Sequence, residues 1–385
     1  MIEAKAISPM IAANRLPKLE THVVEPSQRL ASIDALRGFD MFWIMGGGPF
    51  VQGFLRIFAN PLPPWLDRQF DHVEWEGFVG WDLIMPLFLF VVGVSLPFSI
   101  GKRIAIGETR GQIYRKVATR SLILWILGMI AQGHLLAFDS HNLQFYSNTL
   151  QAIAAGYIIA SIALVEFNIR KQAILTVALL IAYALCLFLI PVPGIGAGHL
   201  NPSDNIAIYV DKAILGRFQD GTTYSWILTS LGFGATVLMG VLAGHLLRSG
   251  LHSTRKAQYL AGAGVACLAA GWLCSFVLPI IKHIWTGSMI LWSGGLSLLL
   301  LALFYWLIDV KGYRRWAFPF IVIGANAIVA YMADLFPWKE ISTILFGGLA
   351  GHLGQVGNAL IAFGAFFVLW CCLYYMYRNR TFIRI

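Results

Sequence analysis

The stretch Ala173–Pro191, with the sequence AILTVALLIAYALCLFLIP, carries no charged side chain over its whole length. Two later stretches, Tyr259–Ile281 and Ser288–Ile308, have the same character. A helix of about 20 apolar residues is long enough to cross the hydrocarbon core of a bilayer. These three stretches therefore predict transmembrane helices rather than the core of a water-soluble domain.

The composition of the chain agrees with this prediction. Of the 385 residues, 58% are apolar and only 12% are charged, and the mean hydropathy is +0.70. Soluble domains carry about 25% charged residues, so this chain has too few to cover a water-facing surface. We predict an all-α fold, a polytopic transmembrane helical bundle with the lipid bilayer as its solvent. The sequence contains ten apolar segments, with approximate limits 33–58, 78–100, 117–136, 149–166, 173–191, 226–247, 258–280, 287–308, 317–336 and 356–377.

Lysine and arginine residues indicate the orientation of these segments. If the N-terminus is cytoplasmic, 22 of the 28 basic residues fall on the cytoplasmic side and 6 on the other side. Because cytoplasmic loops are enriched in basic residues, we predict that both termini are cytoplasmic. The same distribution explains the net charge of +9, so we expect no nucleic-acid partner. Residues 1–28 are polar and contain three prolines, which predicts a disordered cytoplasmic tail before one transmembrane domain at 29–385.

Glycine-rich interruptions suggest where a site could lie. Gly46-Gly47-Gly48-Pro49 interrupts the first segment, and the stretch 347–357 is glycine-rich enough to re-enter the membrane. Broken helices at membrane depth are tolerated where they line protein or a watery cavity. The interruption in the first segment fits either a site or a simple kink.

His72 is the best candidate for acid–base chemistry. It lies in the sequence FDHVEWEG between the first two segments, with Asp71 beside it and Asp82 further along. A histidine near carboxylates can act as a general base, since its pKa is close to neutrality. Read alone, however, it also fits an ordinary surface histidine. Asp82 likewise fits either a functional intramembrane carboxylate or a group that reaches water at the interface.

Other kinds of site find little support in the sequence. It contains no Walker motif, no His-Glu-x-x-His and no Gly-x-Ser-x-Gly. All five cysteines lie within apolar segments and lack the spacing of a metal site, so we expect no metal.

Short motifs along most of the chain resemble the heparan-α-glucosaminide N-acetyltransferase family, and in particular a bacterial type of member. The resemblance begins with Leu30–Met41 (LASIDALRGFDM) and the three glycines at 46–48. It continues with His72-x-x-Trp75-x-Gly77 and ends with Gly324-Ala325-Asn326-Ala327. Further matching pieces are Asp82, Pro86, Gly93, Val192–Gly198, Gly240–Gly244, Pro279–Thr286 and Arg314–Pro319.

The resemblance implies a bundle of about ten or eleven membrane helices that uses acetyl-CoA as donor. It implies acetylation of the amine of a terminal glucosamine on the non-cytosolic side, with His72 as the active-site histidine. We expect His72 to act as general base or acetyl carrier, with Asp82 as a second catalytic residue that assists it. We assign the acceptor to a surface that includes Asp71, Trp75 and Glu76. Cytoplasmic basic residues are expected to hold the donor phosphates, namely Arg37, Arg120, Lys311, Arg314 and Arg315.

Two other functions fit the same sequence. A transporter of a small sugar or anion would also use broken helices around a cavity, and an O-acyltransferase of envelope glycans would use the same donor. In each case we expect a multi-pass protein of a bacterial inner membrane, and we allow for a homodimer. For the acetyltransferase we expect an amino sugar or glycan acceptor as partner.

Overall fold

A computed structural model describes residues 30–133, 135 and 142–383 of the protein. The tail predicted at residues 1–28 lies outside these residues. Within them the chain is helical throughout and forms no β-strand; only two isolated bridges pair extended segments. The α-helices are α1 Ala31–Phe42, α2 Gly48–Phe58, α3 Pro64–Asp67, α4 Ile84–Ala105, α5 Arg110–Ala131, α6 Thr149–Glu166, α7 Ile169–Leu189, α8 Ile206–Leu215, α9 Ser230–Arg248, α10 Ser253–Ser275, α11 Gly287–Phe304, α12 Phe318–Ala325, α13 Ala327–Met332, α14 Trp338–Ala350 and α15 Gln355–Arg378.

Seven helical segments of the described chain are long and apolar enough to cross a membrane. The protein is therefore a multi-pass helical membrane protein, as its composition predicted. Those segments are Gly80–Ala105, Thr149–Glu166, Ile169–Leu189, Ser230–Arg248, Ser253–Ser275, Gly287–Val310 and Gln355–Arg378.

Three of the ten predicted spans are not among these seven, each for a visible reason. The first is divided between α1 and α2 by a π-helical turn at Trp43–Gly47. The third corresponds to α5, whose first half is rich in arginine and lysine. The ninth is divided between α12 and α13 at Asn326, which has non-helical dihedral angles. The total of about ten spans, and their orientation, stay predictions.

The break in the first segment lies where the glycines predicted it. Met45 and Gly46 leave the helical region, and Gly46 has a φ of 105°. Glycine adopts such an angle without the steric cost that a Cβ atom would add. The chain becomes helical again at Gly48, with Pro49 in the first turn of α2, where proline is tolerated.

The glycine-rich stretch 347–357 forms the connection between two helices. It contains the end of α14, the turn at 351–354 and the start of α15. The two helices pack together, and the hydroxyl of Ser342 donates to the carbonyl of Ile361 at 2.7 Å. The sequence did not indicate α14 as a separate helix.

Two glycine contacts bring helix backbones together in the centre of the bundle. A Cβ atom on Gly93 of α4 would lie 2.0 Å from the carbonyl oxygen of Val237 in α9, and one on Gly240 would lie 2.0 Å from that of Phe90. Gly324 of α12 approaches Asp34 of α1 in the same way. Small residues at such crossings give the close van der Waals packing that drives helix association in lipid.

Candidate active site

His72 lies in the loop between α3 and α4, which pairs with the connection between α10 and α11. The amide of Gly77 donates to the carbonyl of Ile280 at 2.8 Å, and Glu76 forms an antiparallel bridge with Ile281. Gly77 has a φ of 123°, a value that favours glycine. The backbone pairing therefore holds two segments together that are far apart in the sequence.

Three ionisable side chains meet where these segments touch, and we refer to His72, Asp82 and Lys282 as the His–Asp–Lys cluster. Nδ1 of His72 lies 2.8 Å from Oδ1 of Asp82. Nζ of Lys282 lies 3.1 Å from the same oxygen and 3.0 Å from Nδ1 of His72. The other carboxylate oxygen of Asp82 accepts from the backbone amide of Val79 at 3.3 Å.

The cluster is buried at one end and open at the other. The side chains of Asp82 and Lys282 are 2% and 8% exposed, whereas that of His72 is 42% exposed. Burial lowers the pKa of Lys282, and the neighbouring Asp82 carboxylate opposes this change. A buried charge is costly unless it is paired, so Asp82 and Lys282 need each other.

These contacts orient the imidazole ring of His72. Nδ1 lies against Asp82 and Lys282, which leaves Nε2 as the ring nitrogen without a hydrogen-bond partner in the described part of the chain. When Nδ1 carries the proton and donates to Asp82, Nε2 is free to accept one. A ring held in this way can accept a proton at Nε2.

A cavity of about 510 Å³ opens beside the cluster, and His72 and Lys282 form part of its wall. The starts of α4 and α6 and the residue after α5 meet here, so the cavity lies at one end of the bundle. Aromatic and polar side chains predominate in its lining. The other lining residues are Met41, Ile44, Trp81, Ile84, Met85, Phe88, Gln132, Ser147, Asn148, Thr149, Asp220, Thr222, Tyr224, Trp226 and Tyr331.

A second histidine, His283, packs behind the cavity wall. Its ring stacks on Tyr224 with centroids 4.1 Å apart, and Trp75 meets it edge-on at 5.3 Å. Nδ1 of His283 lies 2.6 Å from the hydroxyl of Thr223. Burial, and then the charge of Lys282, lower the pKa of His283. These contacts connect the loop before α9 to the loop that carries His72.

The three residues predicted to bind the acceptor do not line this cavity. Asp71 accepts a hydrogen bond from the backbone amide of His72 at 2.8 Å and is exposed. The indole nitrogen of Trp75 donates to the carbonyl of Leu200 at 2.9 Å. The side chain of Glu76 is exposed beside the bridge to Ile281. Residues from the stretch 220–226 line the cavity instead.

The predicted phosphate-binding residues are not among those that line the cavity. Arg37 donates to the hydroxyl of Ser95 at 2.7 Å and approaches Asp34 at 3.6 Å. The guanidinium of Arg120 lies over the ring of Tyr157, 4.6 Å from its centroid. Lys311 lies over Trp306 at 5.3 Å, and Arg314 and Arg315 are exposed.

Lys282 is the member of the cluster that sequence reasoning did not identify as a site residue. Its one signal is that it is charged within the apolar stretch Leu278–Trp285, between two predicted spans. Asp220 and Tyr224 of the cavity wall were missed as well. Among the described residues, no group of three or more His, Cys, Asp and Glu residues is arranged to hold a metal ion.

No family model matches the chain. The chain is similar over 93% of its length to the heparan-alpha-glucosaminide N-acetyltransferase of Homo sapiens, with 23% identity. The corresponding protein of Mus musculus matches 81% of the chain, also with 23% identity. The chain spans 60% and 55% of the length of these two curated relatives. The resemblance seen in the motifs is thus confirmed as a distant relationship.

Proposed function

We propose that this chain, a distant relative of the heparan-alpha-glucosaminide N-acetyltransferases, is a membrane acetyltransferase. It carries acetyl from cytosolic acetyl-CoA to the amine of a terminal glucosamine, or of a related amino sugar, on the non-cytosolic side. The observation that carries the proposal is the 2.8 Å contact between His72 and the buried carboxylate of Asp82 in a cavity wall. The relationship over 93% of the chain supports it.

The chemistry of the transfer requires a base. The amine of glucosamine is largely protonated near neutrality and attacks a thioester only in its free form. His72 receives the proton that the amine gives up as the new bond forms, and Asp82 holds the tautomer in which Nε2 is free. The same free nitrogen could instead attack the thioester and carry the acetyl group. Trapping of an acetylated enzyme with labelled acetyl-CoA distinguishes an acetyl carrier from a general base.

We place the donor along the first helical segment. Arg37 and Gly48 are separated by 11 residues of the α1–α2 segment, roughly 16 Å at the rise of a helix. Gly48 lies against the ring of Trp81 in the cavity wall. The pantetheine arm of coenzyme A can span this separation, so Arg37 could hold the phosphates while the thioester lies beside His72. Guanidinium groups bind phosphate well, and Arg120 is suited to the same task.

The test is incubation of the purified protein with labelled acetyl-CoA and a panel of amino sugars and envelope glycans. The proposal requires release of coenzyme A that depends on an amine acceptor, with the label in an N-acetyl product. Label in an O-acetyl ester would instead identify an O-acyltransferase. No release with any acceptor would leave the transporter as the better account.

A further inference from the structure

Lys282 has no part in the scheme above, although it belongs to the His–Asp–Lys cluster and lines the cavity. We propose that Lys282 is a catalytic residue whose ammonium group donates a hydrogen bond to the oxyanion formed on the acetyl carbonyl. The inference rests on the proposed function, because the oxyanion arises only if a thioester is attacked in this cavity.

Nζ of Lys282 is placed so that it can donate to a substrate atom in the cavity. Nζ lies 3.0 Å from Nδ1 of His72 and 3.1 Å from Oδ1 of Asp82. An ammonium group has three donors. One N–H of Lys282 is directed at Asp82. When Nδ1 of His72 carries its own proton and donates it to the carboxylate, Nδ1 does not accept a second N–H of Lys282. Since Lys282 forms part of the cavity wall, donors remain for a substrate atom there.

The base and the donor are also close enough to act on one reacting group. Nζ lies beside Nδ1, and the free nitrogen Nε2 belongs to the same ring, so a reacting carbonyl could be reached by both. The side chain of Lys282 is only 8% exposed. A fixed positive donor shielded from water stabilises developing negative charge far better than one in bulk solvent.

In the proposed step every bond and proton has a destination within the cavity. The nitrogen of the free amine attacks the carbonyl carbon of the acetyl thioester, and the π electrons of the carbonyl move to its oxygen. That oxygen accepts a hydrogen bond from Lys282, and the proton on the attacking nitrogen passes to Nε2 of His72. The carbonyl then re-forms, the carbon–sulfur bond breaks, and sulfur leaves with the electron pair. The thiolate takes the proton from His72, which yields the amide and the free thiol of coenzyme A.

Lys282 could alternatively serve only as the counter-ion of Asp82. The two roles differ once the charge of Asp82 has been removed. In an Asp82→Asn background a counter-ion has nothing left to neutralise. An oxyanion donor still has its task, because the N–H groups of Lys282 reach the oxyanion whether or not the unpaired amine keeps its charge. This background also avoids the buried unpaired carboxylate that Lys282→Met alone would leave.

The experiment compares the turnover of purified Asp82→Asn with that of Asp82→Asn/Lys282→Met, using labelled acetyl-CoA and an acceptor that the parent acetylates. We expect the double variant to turn over about 10²-fold more slowly or worse, with unchanged affinity for coenzyme A. Equal turnover in the two variants would overturn the role of Lys282 and leave the proposed function standing. Lack of transfer by the parent protein would overturn the proposed function, and the role of Lys282 with it.

Discussion

The imidazole ring of His72 lies between a buried carboxylate and a cavity. Its Nδ1 contacts Asp82, and the residue forms part of the cavity wall. The sequence indicated both His72 and Asp82 as candidate residues, but it did not predict that their side chains are in contact. The nine residues between them form a loop and the start of a 3-10 turn, and the course of this loop depends on pairing with Ile280 and Ile281 some 200 positions later. Lys282 comes from that distant segment, which is why spacing alone did not indicate it.

We predict that His72→Ala folds and inserts normally but loses about 10²–10⁴-fold in the rate of acetyl transfer. The side chain is 42% exposed, so its removal leaves no core cavity that would destabilise the fold. His199→Ala is the matched control, because His199 is an exposed loop histidine outside the cavity lining. The measurement is coenzyme A release by each purified protein. Transfer by His72→Ala at the parent rate would return His72 to the role of a surface histidine.

Asp40 provides a second prediction at this scale, for stability. Its side chain in α1 is fully buried, and neither carboxyl oxygen has a hydrogen-bond partner among the described residues. A buried polar group without a partner costs about 1–3 kcal/mol of stability. Asp40→Leu, which has a similar volume, should therefore raise the thermal unfolding midpoint in detergent.

Asp82→Leu is the control for this measurement. Asp82 is equally buried, but both of its carboxylate oxygens are engaged, and its loss would strand Lys282. Its unfolding midpoint should fall. A lower midpoint for Asp40→Leu as well would show that Asp40 has a stabilising partner in the folded protein.

At the scale of elements, a helix break can be predicted from the sequence when residues next to it cause the break, as in the α1–α2 segment. The break at Met45 and Gly46 was predictable because three glycines and a proline are an interruption in any context. The break at Asn326 was not, because one asparagine in an apolar run is a weak signal. There, the side chain of Asn326 donates to the carbonyl of Thr381 at 3.1 Å and accepts from the amide of Ile383 at 3.0 Å. Contacts with the distant C-terminal segment therefore accompany this break.

Arg37 in α1 and Arg120 in α5 are predicted to contribute to the affinity for coenzyme A. Arg37→Ala or Arg120→Ala should weaken binding of coenzyme A by about 10- to 100-fold, the range expected for loss of a charge-assisted hydrogen bond. Arg255→Ala is the control, since Arg255 is exposed at the start of α10. Calorimetric titration of each variant gives the affinity. Parent-like affinity in both variants would make these arginines topology anchors.

At the scale of the whole molecule, the account requires the cavity and the basic helix ends to face opposite sides of the membrane. In a background without the five native cysteines, we predict that Glu74→Cys reacts with an impermeant maleimide only from the non-cytosolic side. Gly250→Cys, in the turn between α9 and α10, should react only from the cytosol. Glu74 and Gly250 are both exposed. Labelling of both from one side would contradict the predicted topology.

Transfer across the bilayer is the central claim, and vesicles test it most directly. The purified protein is reconstituted into vesicles, and the fraction with uniform orientation is selected with the maleimide label. Labelled acetyl-CoA is supplied on the side of the membrane where Gly250 lies. Glucosamine is enclosed on the side where Glu74 lies. The account predicts N-acetylglucosamine on the acceptor side, coenzyme A on the donor side, and neither product with His72→Ala. Product that forms only when donor and acceptor share one side would contradict it.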